Sequence, residues 1–221
     1  MSQAIPIVFV VDDDVSVRRS LEALIESAGW RTQTFACAQE FLSCPRLHAP
    51  SCLVLDVSLP DLNGLELQKR LGVDPIHMPI IFISGYADVA MTVQAMKAGA
   101  VEFLTKPLAT DVLLKAIQHA IDYSYAALLQ EDAMSALRER HASLSRREQQ
   151  VMALVVSGLL NKQTGAALGI SEITVKAHRG NVMRKMKADS LPDLVNIAAR
   201  LGIAPRARRK PSTPALSIQI A

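Results

Sequence analysis

Three runs limit the fold of this chain more than anything else in it: Ile7-Val8-Phe9-Val10-Val11, Cys52-Leu53-Val54-Leu55 and Ile80-Ile81-Phe82-Ile83. Each is nearly unbroken in β-branched, aliphatic and aromatic residues, with no apolar/polar alternation. Strands buried on both faces read this way, and such strands belong to parallel sheets. Amphipathic segments lie between them at residues 15–28, stopped by Gly29, at 65–71, and at 88–98, closed by Gly99. Arg31–Phe35 and residues 101–105 complete five strands. The alternation predicts an α/β doubly wound five-stranded parallel sheet with right-handed crossovers over residues 1–122.

Between Pro107 and Gly158 there is neither Gly nor Pro, so the last helix is expected to run on as a helical linker over residues 123–142. Residues 143–203 read as a small all-α domain of four short helices. Ser145-Arg146-Arg147-Glu148 fits a capping box. Asn161 is the expected cap of the next helix, which ends at Gly169; Ser171 caps residues 172–187, and Ser190 caps the fourth. Helix, short turn with Gly, helix is the helix-turn-helix pattern. Residues 204–221, with Arg206, Arg208, Arg209, Lys210 and three prolines from Pro205 on, read as a basic, disordered tail.

The charge is divided along the same line. Residues 1–128 carry nine Lys/Arg against fourteen Asp/Glu, and residues 129–221 carry fifteen against seven. An acidic body joined to a basic one points to a second domain that faces a polyanion. Cys37, Cys44 and Cys52 lack metal-ligand spacing and read as reduced thiols of a cytoplasmic protein. No apolar stretch approaches a membrane span, and the first apolar run lacks the layout of a signal peptide.

Doubly wound sheets bind ligands at the carboxyl ends of their strands. Asp12 and Asp13 leave the first strand, Asp56 the third, Ser84 the fourth, and Thr105-Lys106-Pro107 the fifth. Three convergent carboxylates repel one another unless a cation joins them, and a hard divalent ion with oxygen preference suits the set. A lysine and a hydroxyl at the same rim suit a transferred phosphoryl group.

On Val11-Asp12-Asp13, Leu55-Asp56, Ile83-Ser84-Gly85 and Thr105-Lys106-Pro107, residues 1–122 resemble a two-component receiver domain, of flavodoxin-like fold. The resemblance implies that Asp56 accepts a phosphoryl group from a sensor histidine kinase. It implies Mg²⁺ (or Mn²⁺) held by Asp13, Asp56 and the Ser58 backbone carbonyl, with Asp12 acting through water. Lys106 is then the partner of the phosphoryl oxygens, and Ser84 and Phe103 form the conformational switch. Asp14 reads as a helix cap. Tyr86 falls where receivers commonly tune hydrolysis of the phosphoaspartate.

Residues 143–203 resemble the LuxR-type helix-turn-helix of NarL/FixJ response regulators, on Leu144-Ser145-Arg146-Arg147-Glu148, Asn161-Lys162, the run Ile170-Ser171-Glu172-Ile173-Thr174-Val175-Lys176-Ala177-His178-Arg179, and Arg184-Lys185-Met186. The receiver segment 91–100 is similar to the FixJ/StyR/TodT-like branch. At about 100° per residue, Ile173, Lys176, Ala177, Gly180, Arg184 and Lys187 share one side of the third helix, opposite Val175, His178, Val182 and Met186. The first set suits base edges in the major groove; Lys162, Arg179, Asn181 and Lys185 suit phosphates, and Thr174 joins the expected contacts.

The expected function is a DNA-binding transcription regulator, an activator by its resemblance, that dimerises on a double-stranded operator when phosphorylated and meets RNA polymerase. It is not a turnover enzyme. A phosphorylation-independent DNA-binding dimer is the alternative. A haloacid-type phosphatase needs a second acid two residues past the nucleophile, where this chain has Ser58.

Overall fold

The structure, a computed structural model, describes residues 5–45, 47–72, 78–86 and 88–203; the expected tail lies outside them. The chain divides into two compact units between Glu131 and Asp132.

The first unit holds β1 (Ile7–Val11), α1 (Val15–Ser27), β2 (Arg31–Phe35), α2 (Ala38–Ser43), β3 (Ser51–Asp56), α3 (Gly64–Leu71), β4 (Ile80–Ser84), α4 (Val89–Lys97), β5 (Glu102–Thr105) and the first part of α5 (Thr110–Ala142). All strand pairs are parallel, in the order β2-β1-β3-β4-β5. The unbroken apolar runs are explained by this geometry, because successive side chains point to opposite faces and both faces are covered. Ile7, Phe9, Val11, Leu53, Leu55 and Phe82 pack with Phe41, Leu67, Leu71 and Ala95 of α2, α3 and α4. Val8, Val10, Cys52, Val54, Ile81 and Ile83 pack with Leu21, Ile25, Leu113 and Ile117 of α1 and α5. Burial pushes the Cys52 thiol up, out of reach of ionisation at neutral pH. Asp14 caps α1 as expected, accepting from the Ser16 backbone N–H at 2.7 Å. The short helix α2 has no counterpart in the sequence reading.

The second unit contains the last turns of α5 with α6 (Arg146–Val156), α7 (Asn161–Leu168), α8 (Glu172–Met186) and α9 (Leu191–Arg200). Leu137, inside the stretch read as a linker, is buried among Leu144, Met152, Val182, Met186 and Leu194. The Ser145/Glu148 capping box is present, and Ser171 and Ser190 cap α8 and α9. One cap differs from expectation. Leu160, not Asn161, is the cap of α7, and Gln163 reaches back to accept from the Leu160 N–H at 3.0 Å. Asn161 is the first helical residue, and its amide oxygen accepts from Arg179 at 3.2 Å. The α7–α8 turn is tight at Gly165, where a Cβ would lie 2.7 Å from the Ile170 carbonyl oxygen.

Candidate functional site

At the carboxyl edge of the sheet the strands deliver their acidic residues to one place. Fully buried Asp12 and exposed Asp13 follow β1 directly, and β3 ends in buried Asp56. One carboxylate oxygen from each of the three lies within 4.8 Å of the others. Lys106, just past β5, joins two of them: its Nζ lies 2.7 Å from Asp12 Oδ2 and 2.8 Å from Asp56 Oδ2. Its backbone N–H donates to the Ser84 carbonyl at 2.8 Å, which fixes the lysine to the end of β4.

Burial is the largest influence on Asp12 and holds its carboxyl above the usual carboxylate range, only partly offset by Lys106 and by the Asp14 N–H at 2.9 Å. For Lys106, burial works against the charge, yet the hydrogen bonds and charges of Asp12 and Asp56 outweigh it, so the ammonium is held above its ordinary value. An all-oxygen set with two buried carboxylates fits a hard divalent cation that keeps some of its water.

Loops hold the acidic residues in place. The Asp56 carboxylate accepts from the Ser58 N–H at 3.1 Å. Asp61, on the same loop, accepts from the Ala38 and Gln39 N–H groups at 3.2 and 2.9 Å, tying the loop to the start of α2. Arg18 donates to the Asp12 backbone carbonyl at 2.6 Å. None of these roles was read from sequence, and neither was that of Gly64. A Cβ there would stand 2.6 Å from the Asp56 carbonyl oxygen, 3.1 Å from Val57 Cα and 3.2 Å from the Phe82 ring. Backbone on one side and a buried ring on the other leave relief only by moving the chain that carries Asp56. Gly64→Ala is therefore expected to cost about 1–3 kcal/mol, read as a lower urea midpoint by fluorescence of Trp30, the chain's one tryptophan. An unchanged midpoint contradicts this.

Ser84 is buried, and its Oγ both donates to the Tyr86 carbonyl and accepts from the Tyr86 N–H at 3.2 Å. The Tyr86 ring is 79% exposed. Phe103 is half-buried on β5, its ring centroid 6.0 Å from that of Phe82.

In the second unit, α8 separates into two faces. Val175, Val182 and Met186 are buried, His178 is at the boundary, and Ile173, Lys176, Ala177, Gly180 and Arg184 are exposed. Lys162 and Thr174 are exposed as well, the Thr174 hydroxyl sharing a hydrogen bond with Ser171 at 2.8 Å. Asn181 is half-buried and accepts from Arg184 at 3.4 Å. Half-buried Arg179 is held by Asn161. Lys185, read from sequence as a phosphate contact, is placed otherwise. Its Nζ lies 2.7 Å from Glu148 and 3.2 Å from the Ser143 carbonyl, so its charge is directed into the unit. Glu148 is buried, and Lys185 together with the Ser145 N–H holds its carboxyl below the usual range.

Residues 8–118 match the response regulator receiver domain, and residues 142–198 match the luxR family of bacterial regulatory proteins. Nodulation protein W of Bradyrhizobium diazoefficiens is 48% identical over 198 residues, which cover 90% of this chain and 87% of that protein. Response regulator protein TodT of Pseudomonas putida is 44% identical over 201 residues, 91% of this chain and 88% of the other. The solved structure of response regulator StyR superposes with a TM-score of 0.81 at 45% identity, covering 89% of this chain and 100% of that one. Among the described residues no helix is long and apolar enough to cross a membrane. The family consists of transcription regulators rather than turnover enzymes. The acidic cluster with its lysine and the two-faced helix α8 thus fall in the two halves of one known architecture. The chain belongs to the two-component response regulators, transcription regulators that join a receiver domain to a LuxR-type DNA-binding domain and work with a histidine kinase and DNA.

Proposed function

We propose that phosphorylation of Asp56 switches this regulator between weak and strong operator binding. The observation that carries the reading is the Lys106 ammonium bridging Asp12 and Asp56, with Asp13 beside them at the sheet edge. Asp12, Asp13, Asp56 and the Ser58 backbone carbonyl would hold Mg²⁺ (or Mn²⁺), which when bound offsets their charge and that of phosphoryl oxygens. An Asp56 carboxylate oxygen attacks the phosphorus of the kinase's phosphohistidine. The P–N bond breaks, and its electron pair returns to the imidazole nitrogen, which takes up a proton. Lys106 then leaves the Asp56 oxygen for the new phosphoryl oxygens.

Ser84 gives up the Tyr86 carbonyl to donate to the same group, and the half-buried Phe103 ring shifts with it. The surface this alters includes α4, where Val89, Val93 and Met96 stand exposed at helical spacing. Two copies pair there, presenting two α8 helices to two half-sites of a double-stranded operator. The base-facing residues are Lys176, Ala177, Gly180 and Arg184, with Lys162, Thr174, Arg179 and Asn181 toward the backbone. RNA polymerase is the partner downstream, with activation as the outcome and the cytoplasm as the compartment. The shift requires that the phosphorylated conformation bind DNA or its twin more tightly, since equal affinity moves no equilibrium.

The test is DNA binding by wild type and Asp56→Ala, each with and without acetyl phosphate plus Mg²⁺. Tighter binding is expected only for wild type with phosphodonor, by about tenfold or more, in line with the usual size of such couplings. Equal affinity in all four conditions favours the phosphorylation-independent dimer instead.

A further inference from the structure

We propose that Ile173 is a specificity-determining residue of α8, selecting thymine by packing on its C5-methyl group. The inference rests on the reading above, in which α8 enters the major groove. Ile173 is the second residue of the helix and is 82% exposed. A β-branched aliphatic side chain there adds nothing to the core, which α8 serves through Val175, Val182 and Met186. It also contributes no charge to the attraction of phosphates, which Lys176 and Arg184 supply from the same face.

The first turn of a recognition helix is the part that meets base edges. Its two hydroxyls are engaged, because those of Ser171 and Thr174 bond to each other and Ser171 also accepts from the Thr174 N–H at 3.1 Å. The exposed Glu172 carboxylate stands about 100° round the helix from Ile173, so what projects at position 173 itself is apolar. Of the features in the major groove, only the thymine methyl is read by apolar contact.

Gly180, seven residues along on the same side, supports the same close fit. A Cβ there would meet nothing within 4 Å, so the fold has no use for a glycine. In a helix interior it costs about 1 kcal/mol relative to alanine. With Ala177 and the flexible stem of exposed Lys176 between them on that side, no rigid bulk holds the helix away from the base pairs, and Ile173 seats against them.

The test uses the full-length protein with acetyl phosphate and Mg²⁺. A random-sequence duplex pool is enriched for binders, and each thymine of the winning sequence is replaced in turn by deoxyuridine, which removes the methyl and leaves base pairing intact. At one position per half-site, wild type is expected to lose about threefold to tenfold in affinity, the size of withdrawing one or two methyl groups from water. Ile173→Ser, equal to wild type in melting temperature because the residue is exposed, is expected to bind the thymine and deoxyuridine duplexes equally. Ile173→Val keeps part of the discrimination. Enrichment followed by indifference to every deoxyuridine, or discrimination unchanged in Ile173→Ser, overturns the inference and leaves DNA reading intact. Failure to enrich any sequence removes the underlying reading, and the inference with it.

Discussion

Lys106→Met is expected to lower the stability of the receiver unit by about 3 kcal/mol in the absence of divalent cations, the usual scale for breaking a buried ion pair. The lysine stem is retained, so little packing is lost. What goes is the ammonium within 2.8 Å of both Asp12 and Asp56, leaving two buried carboxylates without a counter-charge. Asp12, already held above the usual range by burial, takes up a proton more readily, which limits the loss. Addition of Mg²⁺ is expected to restore most of the deficit, because a ligand that binds only the folded state stabilises it by mass action. Urea unfolding followed by Trp30 fluorescence reports this unit selectively, since Trp30 packs on the α1/α5 face of the sheet. A deficit that Mg²⁺ leaves untouched would show that the three carboxylates do not gather a cation.

In the second unit the largest effect is expected at Glu148. Its carboxylate accepts from Lys185 at 2.7 Å and from the Ser145 N–H at 2.8 Å, joining the start of α6 to the recognition helix. Glu148→Ala removes a charged hydrogen bond and half of a capping box, about 2–4 kcal/mol together. The sign of the pH dependence follows from the lowered folded value. The contribution is complete above the ordinary glutamate value of about 4.3 and is lost as pH falls through that value and the lower folded one. Glu148→Gln should flatten this acid limb, as measured by thermal unfolding in circular dichroism.

The same pair separates positioning from contact. Lys185→Met is expected to lower the melting temperature and leave the salt dependence of DNA binding unchanged. Exposed Lys162→Met should do the reverse, reducing the log–log salt slope by about 0.9. A reduced slope in Lys185→Met, with stability intact, would return that lysine to the phosphate contacts.

The sheet was legible because an unbroken apolar run has few other homes, and the acidic residues because strand ends place them. Ser145, Ser171 and Ser190 were equally plain, since capping is local chemistry. What sequence hid lies in approaches through space. Asp61 reads as an ordinary loop acid, and only the fold sets it on the first N–H groups of α2. The need for glycine at position 64 appears only when the Asp56 carbonyl comes within 2.6 Å of the missing Cβ. Lys185 stands far along the chain from Glu148, and a helical wheel assigns it to the outside with no knowledge of that acid. Asn161 has better capping chemistry than Leu160, but the backbone turns one residue earlier, and Gln163 satisfies the N–H that a cap would otherwise serve.

The strand order also sets a timetable for assembly. β1 lies between β2 and β3, so Ile7 pairs with both Arg31 and Ser51, and neither pairing forms until the intervening chain has closed on itself. Such long loops slow folding, whereas the backbone hydrogen bonds of α6 to α9 run within each helix between residues four apart, and local contacts of that kind form fast. In a full-length chain diluted from denaturant, the helical unit is expected to form first, regaining its helical signal ahead of Trp30 fluorescence. During synthesis the order is reversed, because the slow sheet leaves the ribosome first and gains its head start from translation itself.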